Sequence, residues 1–298
     1  MTIAALPGLP GLPEPLTHET PEDDDYHRRF GGVARLYGAA GMARLEAASV
    51  CVIGIGGVGS WAAEALARNA VGRITLIDLD HIAPSNTNRQ IHALGDAYGR
   101  AKVEAMGERI VAINPRCRVS QIDDFVTEDN VAQLLSGFDY VIDAIDAAKI
   151  KTAILGWTRG SGRGARILTC GGAGGQLDPT RVRLEDLSRT VQDPLLAKVR
   201  GNLRRQFGFP RNPKRKFNIL AVYSDEPVRY PEPEQQACEI DEAPPAPREA
   251  PQGLACAGYG SSVAVTAVFG FVAASAVIGA IVAGNDARAG SEDAAEED

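Results

Sequence analysis

The chain has 298 residues, 45% of them hydrophobic, and a formal net charge of −7. That is ample for a large core in one domain, or one domain with an insert. It excludes a protein that holds polyanions over its whole surface, so any nucleic-acid contact must be a local basic patch.

Residues 1–28 are rich in proline and acids ("PEDDD") and are expected to form a disordered tail. The opening "MTIAALPGLPGLPEPL" is broken by prolines and lacks the basic start of a signal peptide. From Val50 the chain alternates strand and helix. "VCVIGI" predicts a buried strand, Val58 to Asn69 a helix, and "RITLIDL" a second strand. Arg100 to Ile113 predicts a helix that Asn114-Pro115 ends. "RVSQID" is a third strand, and Thr127 is expected to cap a helix carrying Glu128 and Asp129 in its first turn. "YVIDAID" and "RILTCGG" are a fourth and fifth strand. The alternation predicts an α/β fold, a Rossmann-like doubly wound and mostly parallel sheet with a C-terminal extension.

The domain boundaries expected are 29–180 for a nucleotide-binding domain and 181–252 for a basic insert with proline-rich loops. Residues 253–284 form an apolar helix, packed on the domain or at a dimer interface, and 285–298 an acidic tail ("SEDAAEED"). The stretch 253–284 has no charge and is long enough to cross a bilayer. It lacks flanking Lys and Arg, and its Ala, Gly and Ser suit close packing, so a buried helix is favoured and membrane association through 261–284 stays an alternative.

Gly54, Gly56 and Gly59 match G-x-G-x-x-G between a strand and a helix, where backbone N–H groups and helix dipole receive phosphates. Asp78 ends the next strand, where a carboxylate accepts bonds from ribose hydroxyls. The turn alone does not separate NAD from ATP. No convincing histidine for dehydrogenase chemistry accompanies it; His81 and His92 are the histidines within the ordered fold. Arg89 and Lys102 are instead placed to bind a triphosphate, and Asp146 at a strand end to hold Mg²⁺ on it. Hydride transfer has no use for that set, whereas phosphoanhydride chemistry does. Singly, each has a bland alternative: surface charges for Arg89 and Lys102, a helix cap for Asp146.

G-x-G-G-x-G, D-x-D, S-N-x-x-R-Q, K-x-E and a strand-end Asp occur in order. Together they resemble the ubiquitin-activating-type adenylating enzymes, the ThiF-like group that includes activators of sulfur carriers. The resemblance implies that Gly57 lies against the phosphates and Asp78 binds ribose. It implies that Asn86 and Arg89 contact phosphates, Arg89 from a partner subunit of a homodimer, that Lys102 binds phosphate and that Asp146 binds Mg²⁺. Relatives often place an Arg where this chain has Gly32; Arg29 or Arg35 is the substitute expected.

Within the group, "RFGGVARLYG", "NTNRQIHAL", "YVIDAIDAAKIKTA" and "GGAGGQLDPTRVRLEDLSRTVQDPLLAKVR" are similar to the tRNA threonylcarbamoyladenosine dehydratases over Arg29 to about Val282. This implies ATP-dependent cyclisation of a threonylcarbamoyl group on tRNA through an acyl adenylate. The acid-free stretch 194–224 supplies Lys198, Arg200, Arg204, Arg205, Lys214, Arg215 and Lys216 for an RNA backbone, with a solvated surface loop as the alternative.

Other readings stay open. Adenylation of a ubiquitin-like sulfur carrier is one, although such activators commonly carry two C-x-x-C zinc pairs. The five cysteines here, Cys51, Cys117, Cys170, Cys238 and Cys256, form none. A nicotinamide-dependent oxidoreductase and a non-enzymatic nucleotide-sensing scaffold are others. Cys238, in a proline-rich loop, is an inert thiol or a mobile one serving a sulfurtransfer partner. Sparse, unpaired cysteines suit the cytoplasm.

Overall fold

The computed structural model describes residues 23–160, 166–230 and 259–284. The helices are α1 (Asp23–Ala47, kinked at Gly38), α2 (Gly59–Arg68), α3 (Lys102–Ile113), α4 (Val131–Leu134), α5 (Ala148–Gly160), α6 (Pro194–Gln206) and α7 (Val263–Ala283). The strands are β1 (Ser49–Ile53), β2 (Arg73–Ile77), β3 (Arg118–Ile122), β4 (Tyr140–Asp143), β5 (Arg166–Cys170), β6 (Val182–Asp186) and β7 (Leu220–Ser224). They form one sheet in the order β3-β2-β1-β4-β5-β7-β6, parallel except for β6, which runs antiparallel to β7. The fold class expected from the strand–helix alternation is the one observed.

The central strands are short runs of Val, Ile and Leu buried on both faces, as a sheet covered by helices requires. One face packs against α2, α3 and α7 around Leu66, Met106, Ile110 and Phe269. The other packs against α4 and α5, with Leu135 and Ile154 between them. The chain order reverses direction between β1 and β4, where the register sets Ile53 beside both Ile77 and Asp143. The ends of β1, β2 and β4 therefore lie level at the sheet's switch point, where open α/β sheets take their ligands.

Three features differ from the sequence expectations, and a fourth decides between two of them. Among the described residues α1 already includes Asp23, six residues before the expected start of order at Arg29. Thr127 does not cap a helix carrying Glu128 and Asp129. It pairs with Asn130, each backbone N–H donating to the other's side-chain oxygen (2.7 and 3.3 Å), and Asn130 is the cap of the one-turn α4.

The described part of 181–252 is not separate from the sheet. β7 hydrogen-bonds to β5, and α6 connects the edge strand β6 to β7, capped by Asp193 with Pro194 as its first residue. Finally, α7 is long and apolar enough to span a membrane, but 56% of its apolar window is buried within the protein. It lies along α2, where a side chain on Gly270 would come 2.5 Å from the Val58 carbonyl oxygen. Arg44 of α1 donates to the Val282 carbonyl at its other end (2.6 Å). This packing supports the core-helix alternative and gives none to a span. Cys238, the rest of the proline-rich loop and the acidic tail lie outside the described residues.

Candidate active site

The glycine turn starts where β1 ends. Gly54 has φ of +85°, and its N–H donates to the Ile77 carbonyl at 2.9 Å. A Cβ there would stand 3.0 Å from the Ala144 carbonyl carbon and oxygen, so the turn rests directly on the segment after β4. Gly59 opens α2, and a Cβ on it would lie 1.8 Å from the Gly54 carbonyl oxygen. Only glycine at both positions lets the chain leave the strand and enter the helix this tightly.

Asp78 follows β2 and reaches under the turn. Its Oδ2 accepts from the Ile55 N–H at 2.6 Å and its Oδ1 from the Asp80 N–H at 2.8 Å. Burial pushes this carboxyl above its ordinary range; the charge of Lys102 and the two N–H donors pull the other way. Each oxygen keeps a second lone pair for a ribose hydroxyl. Lys102, the first residue of α3, is 5% exposed, and its ammonium pairs with Asp80 Oδ2 at 2.7 Å. Asp80 is open to solvent, so the ammonium has a partner that an incoming polyphosphate displaces at small cost.

The segment 84–90 forms the adjoining wall. Asn86 Oδ1 accepts from the Ala83 N–H at 3.1 Å and so fixes the turn itself. Arg89 is held through its backbone, whose carbonyl accepts from the Trp61 indole N–H at 2.9 Å. Its guanidinium donates to the Ser85 carbonyl and Asn88 Oδ1, both at 2.9 Å, while its stem covers Gly57. Within this chain Arg89 thus points at its own loop. Asp146 is exposed in the turn between β4 and α5. Gly54, Gly56, Gly57, Gly59, Asp78 and Asp146 are gathered at the level ends of β1, β2 and β4, with Asn86, Arg89 and Lys102 beside them on the segment that follows β2. Arg29 is not a substitute phosphate ligand here. It pairs with Asp25 and donates to the Ala112 and Ile113 carbonyls, at the far end of α3. Arg35 is exposed on α1.

Sequence reasoning assigned no role to several groups that surround the turn. Ser60, Gln90 and Thr266 are buried, and Ser60 Oγ, Gln90 Oε1 and Thr266 Oγ1 have no hydrogen-bond partner. Gln90 and Thr266 approach from opposite elements: a Cβ on Gly56 would lie 4.0 Å from Gln90 Nε2, and one on Gly57 would lie 3.4 Å from Thr266 Cβ. Unpaired buried polar atoms are costly, and three residues that border this turn carry them, as a place completed by a polar ligand would; His92, Gln121 and Gln176 carry others. The adjacent "RQ" and the isolated Thr in a charge-free helix were the available signals.

The basic residues divide into two sets. Lys198 and Arg205 on α6, and Lys214, Arg215 and Lys216 beyond it, are exposed. Arg200 turns inward to Thr190, and burial lowers its pKa. Arg204 donates to the Pro210 carbonyl and stacks over Phe217, 5.3 Å from the ring centre. These two serve packing as well as charge. Since α6 runs back from the sheet's ligand edge, Lys214–Lys216 lie about 20 Å below it, at 1.5 Å per helical residue. A cavity of about 610 Å³ opens there, lined by Tyr140, Arg166, Lys216, Leu220 and Val277; it is distant from the glycine turn and takes no part in this site.

Comparison with known proteins places the chain in a family. The ThiF family model matches residues 26–163. The tRNA threonylcarbamoyladenosine dehydratase of Escherichia coli (strain K12) is 51% identical over 254 residues, 85% of this chain and 92% of that protein. A solved structure of E. coli tRNA N6-threonylcarbamoyladenosine dehydratase in complex with ATP matches with a TM-score of 0.76 at 47% identity, covering 88% of this chain and 96% of that one. The same enzyme in complex with AMP matches with a TM-score of 0.76, covering 89% and 98%. Fold, glycine turn and family model together define a ThiF-type adenylating enzyme. With that coverage and identity, the chain belongs to the tRNA threonylcarbamoyladenosine dehydratase family.

Proposed function

We propose that this protein uses ATP to dehydrate N6-threonylcarbamoyladenosine in tRNA. The observation that carries the reading is the near end-to-end match to a dehydratase bound to ATP and to AMP. The buried, unpartnered oxygens around the glycine turn fit a nucleotide there.

In this reading the polyphosphate lies on the N–H groups of the glycine turn and the first turn of α2, and the ribose on Asp78. Lys102 leaves Asp80 for the phosphates. The threonyl carboxylate of the tRNA attacks the α-phosphorus, and pyrophosphate leaves. Lys102 and Arg89, with Asn86 bracing the segment that carries Arg89, stabilise the charge that develops on the phosphate oxygens. The acyl adenylate is then an activated carbonyl. The neighbouring carbamoyl nitrogen closes onto it, loses its proton, and AMP departs carrying one of the original carboxylate oxygens. The oxygen formally lost as water therefore leaves in AMP, and no covalent protein intermediate is needed.

Mg²⁺ would be held by Asp146. Among the described residues no group of three or more His, Cys, Asp or Glu is placed to hold a metal. A single exposed carboxylate suits an ion bound chiefly by phosphate oxygens, which supplies charge neutralisation when present. The tRNA backbone would follow Lys198 and Arg205 towards Lys214–Lys216. The protein would act as a homodimer, with Arg89 turned from its own loop into the partner's site. The described cysteines, Cys51, Cys117 and Cys170, are all buried. A sulfurtransfer partner would thus find no accessible thiol among the described residues.

The test is nucleotide product analysis with purified protein and tRNA from cells that make threonylcarbamoyladenosine. AMP and pyrophosphate forming only with that tRNA, with loss of one water in the nucleoside mass, is expected. AMP formed instead with a ubiquitin-like sulfur carrier, or not formed at all, would overturn the reading.

A further inference from the structure

Beneath the site lies an ion pair that the reaction as described does not use. Asp143, the last residue of β4, and Lys151, in the first turn of α5, are both 0% exposed and pair at 2.8 Å. Lys151 Nζ also donates to Thr169 Oγ1 at 3.0 Å and to the Asp143 carbonyl at 3.2 Å. Thr169 Oγ1 donates in turn to Asp143 Oδ2 at 2.8 Å, so the lysine, the threonine and the carboxylate form a closed triangle. Asp143's other oxygen accepts from the Ile145 N–H at 3.3 Å.

That last bond gives the triangle a mechanical role. The Ala144–Ile145 peptide is the one against which Gly54 rests: a Cβ on Gly54 would meet the Ala144 carbonyl at 3.0 Å and the Ile145 nitrogen at 3.1 Å. The same turn carries Asp146. Lys151 belongs to the helix that follows the turn and Asp143 to the strand that precedes it, so their pair ties both ends together. A buried ion pair is weak evidence for stability, because desolvation of the two charges offsets their attraction. An apolar pair would hold strand and helix together as well, but would leave the Ile145 N–H without the acceptor that fixes the turn.

We propose that Asp143, Lys151 and Thr169 are positioning residues for adenylation, setting the glycine turn and Asp146 at a fixed separation. The proposal rests on the assignment of Asp146 to Mg²⁺ made above. Placement errors of about 1 Å cost about 100-fold in rate, so a small shift in this turn is expected to be read in catalysis before it is read in folding.

The experiment uses the full chain carrying Asp143→Leu and Lys151→Met together. Expected are a Tm within a few degrees of the parent, an ATP Kd in EDTA raised about tenfold, a raised Mg²⁺ half-saturation and a kcat for AMP formation lowered about 100-fold. A folded double variant with parental ATP affinity, Mg²⁺ dependence and kcat would overturn the proposal. Should that variant not fold, Thr169→Val removes one hydrogen bond and leaves the charges paired. It should lower kcat severalfold with little change in the KM for tRNA, and Thr169→Ser should restore it. An unchanged kcat in Thr169→Val would count against the proposal in that case. ATP and Mg²⁺ binding are read without tRNA. Failure of the parent to act on tRNA would therefore overturn the functional reading and leave the binding comparison to decide this one.

Discussion

Gly59→Ala is the perturbation whose consequence follows most directly from the geometry. The added Cβ would lie 1.8 Å from the Gly54 carbonyl oxygen, where about 3.3 Å is the ordinary carbon–oxygen approach. One side must therefore give by about 1.5 Å. Gly54 cannot recede, since its N–H is bonded to Ile77 and its other side already rests on Ala144. The first turn of α2 moves instead, and that turn carries the N–H groups assigned to the phosphates. Overpacking costs about 1–3 kcal/mol, of which the better helix propensity of Ala returns about 0.5–1 kcal/mol.

A Tm lower by a few degrees is expected, with ATP affinity reduced about 100-fold by the displaced donors. Isothermal titration with ATP, alongside thermal unfolding, measures both. Gly56→Ala is the control, because its Cβ would come no nearer than 4.0 Å to the atoms around it. It should leave the Tm unchanged and weaken ATP about tenfold or more by crowding the ligand alone. ATP bound at parental strength by a folded Gly59→Ala protein would place the nucleotide elsewhere and refute the reasoning.

Lys102→Met should weaken ATP binding at least tenfold while costing about 1 kcal/mol or less, since the Asp80 it leaves is solvent-exposed; a calorimetric titration showing no loss would remove Lys102 from the site. His92 is 4% exposed, and burial, with the charges of Lys102 and Arg109, pushes its pKa down to about 4 from 6.5. The unfolded chain therefore takes up that proton first. Stability should be fully present above pH 6.5 and fall by about 3 kcal/mol as the pH drops towards 4. Denaturant titrations should show His92→Leu flattening the dependence in that window. Lys214→Gln, Arg215→Gln and Lys216→Gln combined should weaken tRNA binding, lower its salt slope by about 2, and leave the ATP Kd unchanged; an unaltered salt slope would remove this turn from the RNA path. Gly270→Val should lower the Tm by forcing α7 off Val58 and Ala62, a loss that unfolding curves read directly.

The parts of the site that sequence exposed are those written within a few residues of one another. The glycine turn, Asp78 at the next strand end and the 86–90 segment depend on local backbone geometry, and their order along the chain sufficed to place them. What stayed hidden depends on contacts across the sheet. Lys151 sits in "AAKIKTA", where a lysine looks like an exposed helical charge; its partner is eight residues back, on a strand. β6 escaped because "VRLED" is a half-exposed edge strand with charged side chains, lacking the clean alternation of a buried one. β7 escaped because "LAVYS" ends a stretch that otherwise looks like a basic loop, and its identity as a strand comes from pairing with β5, fifty residues away. Arg200 and Arg204 were indistinguishable from their exposed neighbours by charge. Helical phase on α6 is what turns them inward.

The charge-free helix α7 shows how composition and placement combine. A helix apolar on every face is either a buried element or a membrane span, and its sequence does not choose between them. The neighbours choose here. Gly270, Ala273 and Ala274 are all buried, small enough for α2 to approach closely, while Phe271 remains 44% exposed on the outer stripe. At its start, the Val263 N–H donates to the Asn88 carbonyl at 3.1 Å, and Asn88 Nδ2 donates to the Ser261 carbonyl at 2.8 Å. The helix is thereby fastened to the segment that carries Arg89, and it sets Thr266 against Gly57. Its lack of charge follows from covering α2, and its one buried polar side chain, Thr266, sits near the end that meets the glycine turn. In this fold α7 is thus a wall of the candidate site, set against Gly57 through Thr266.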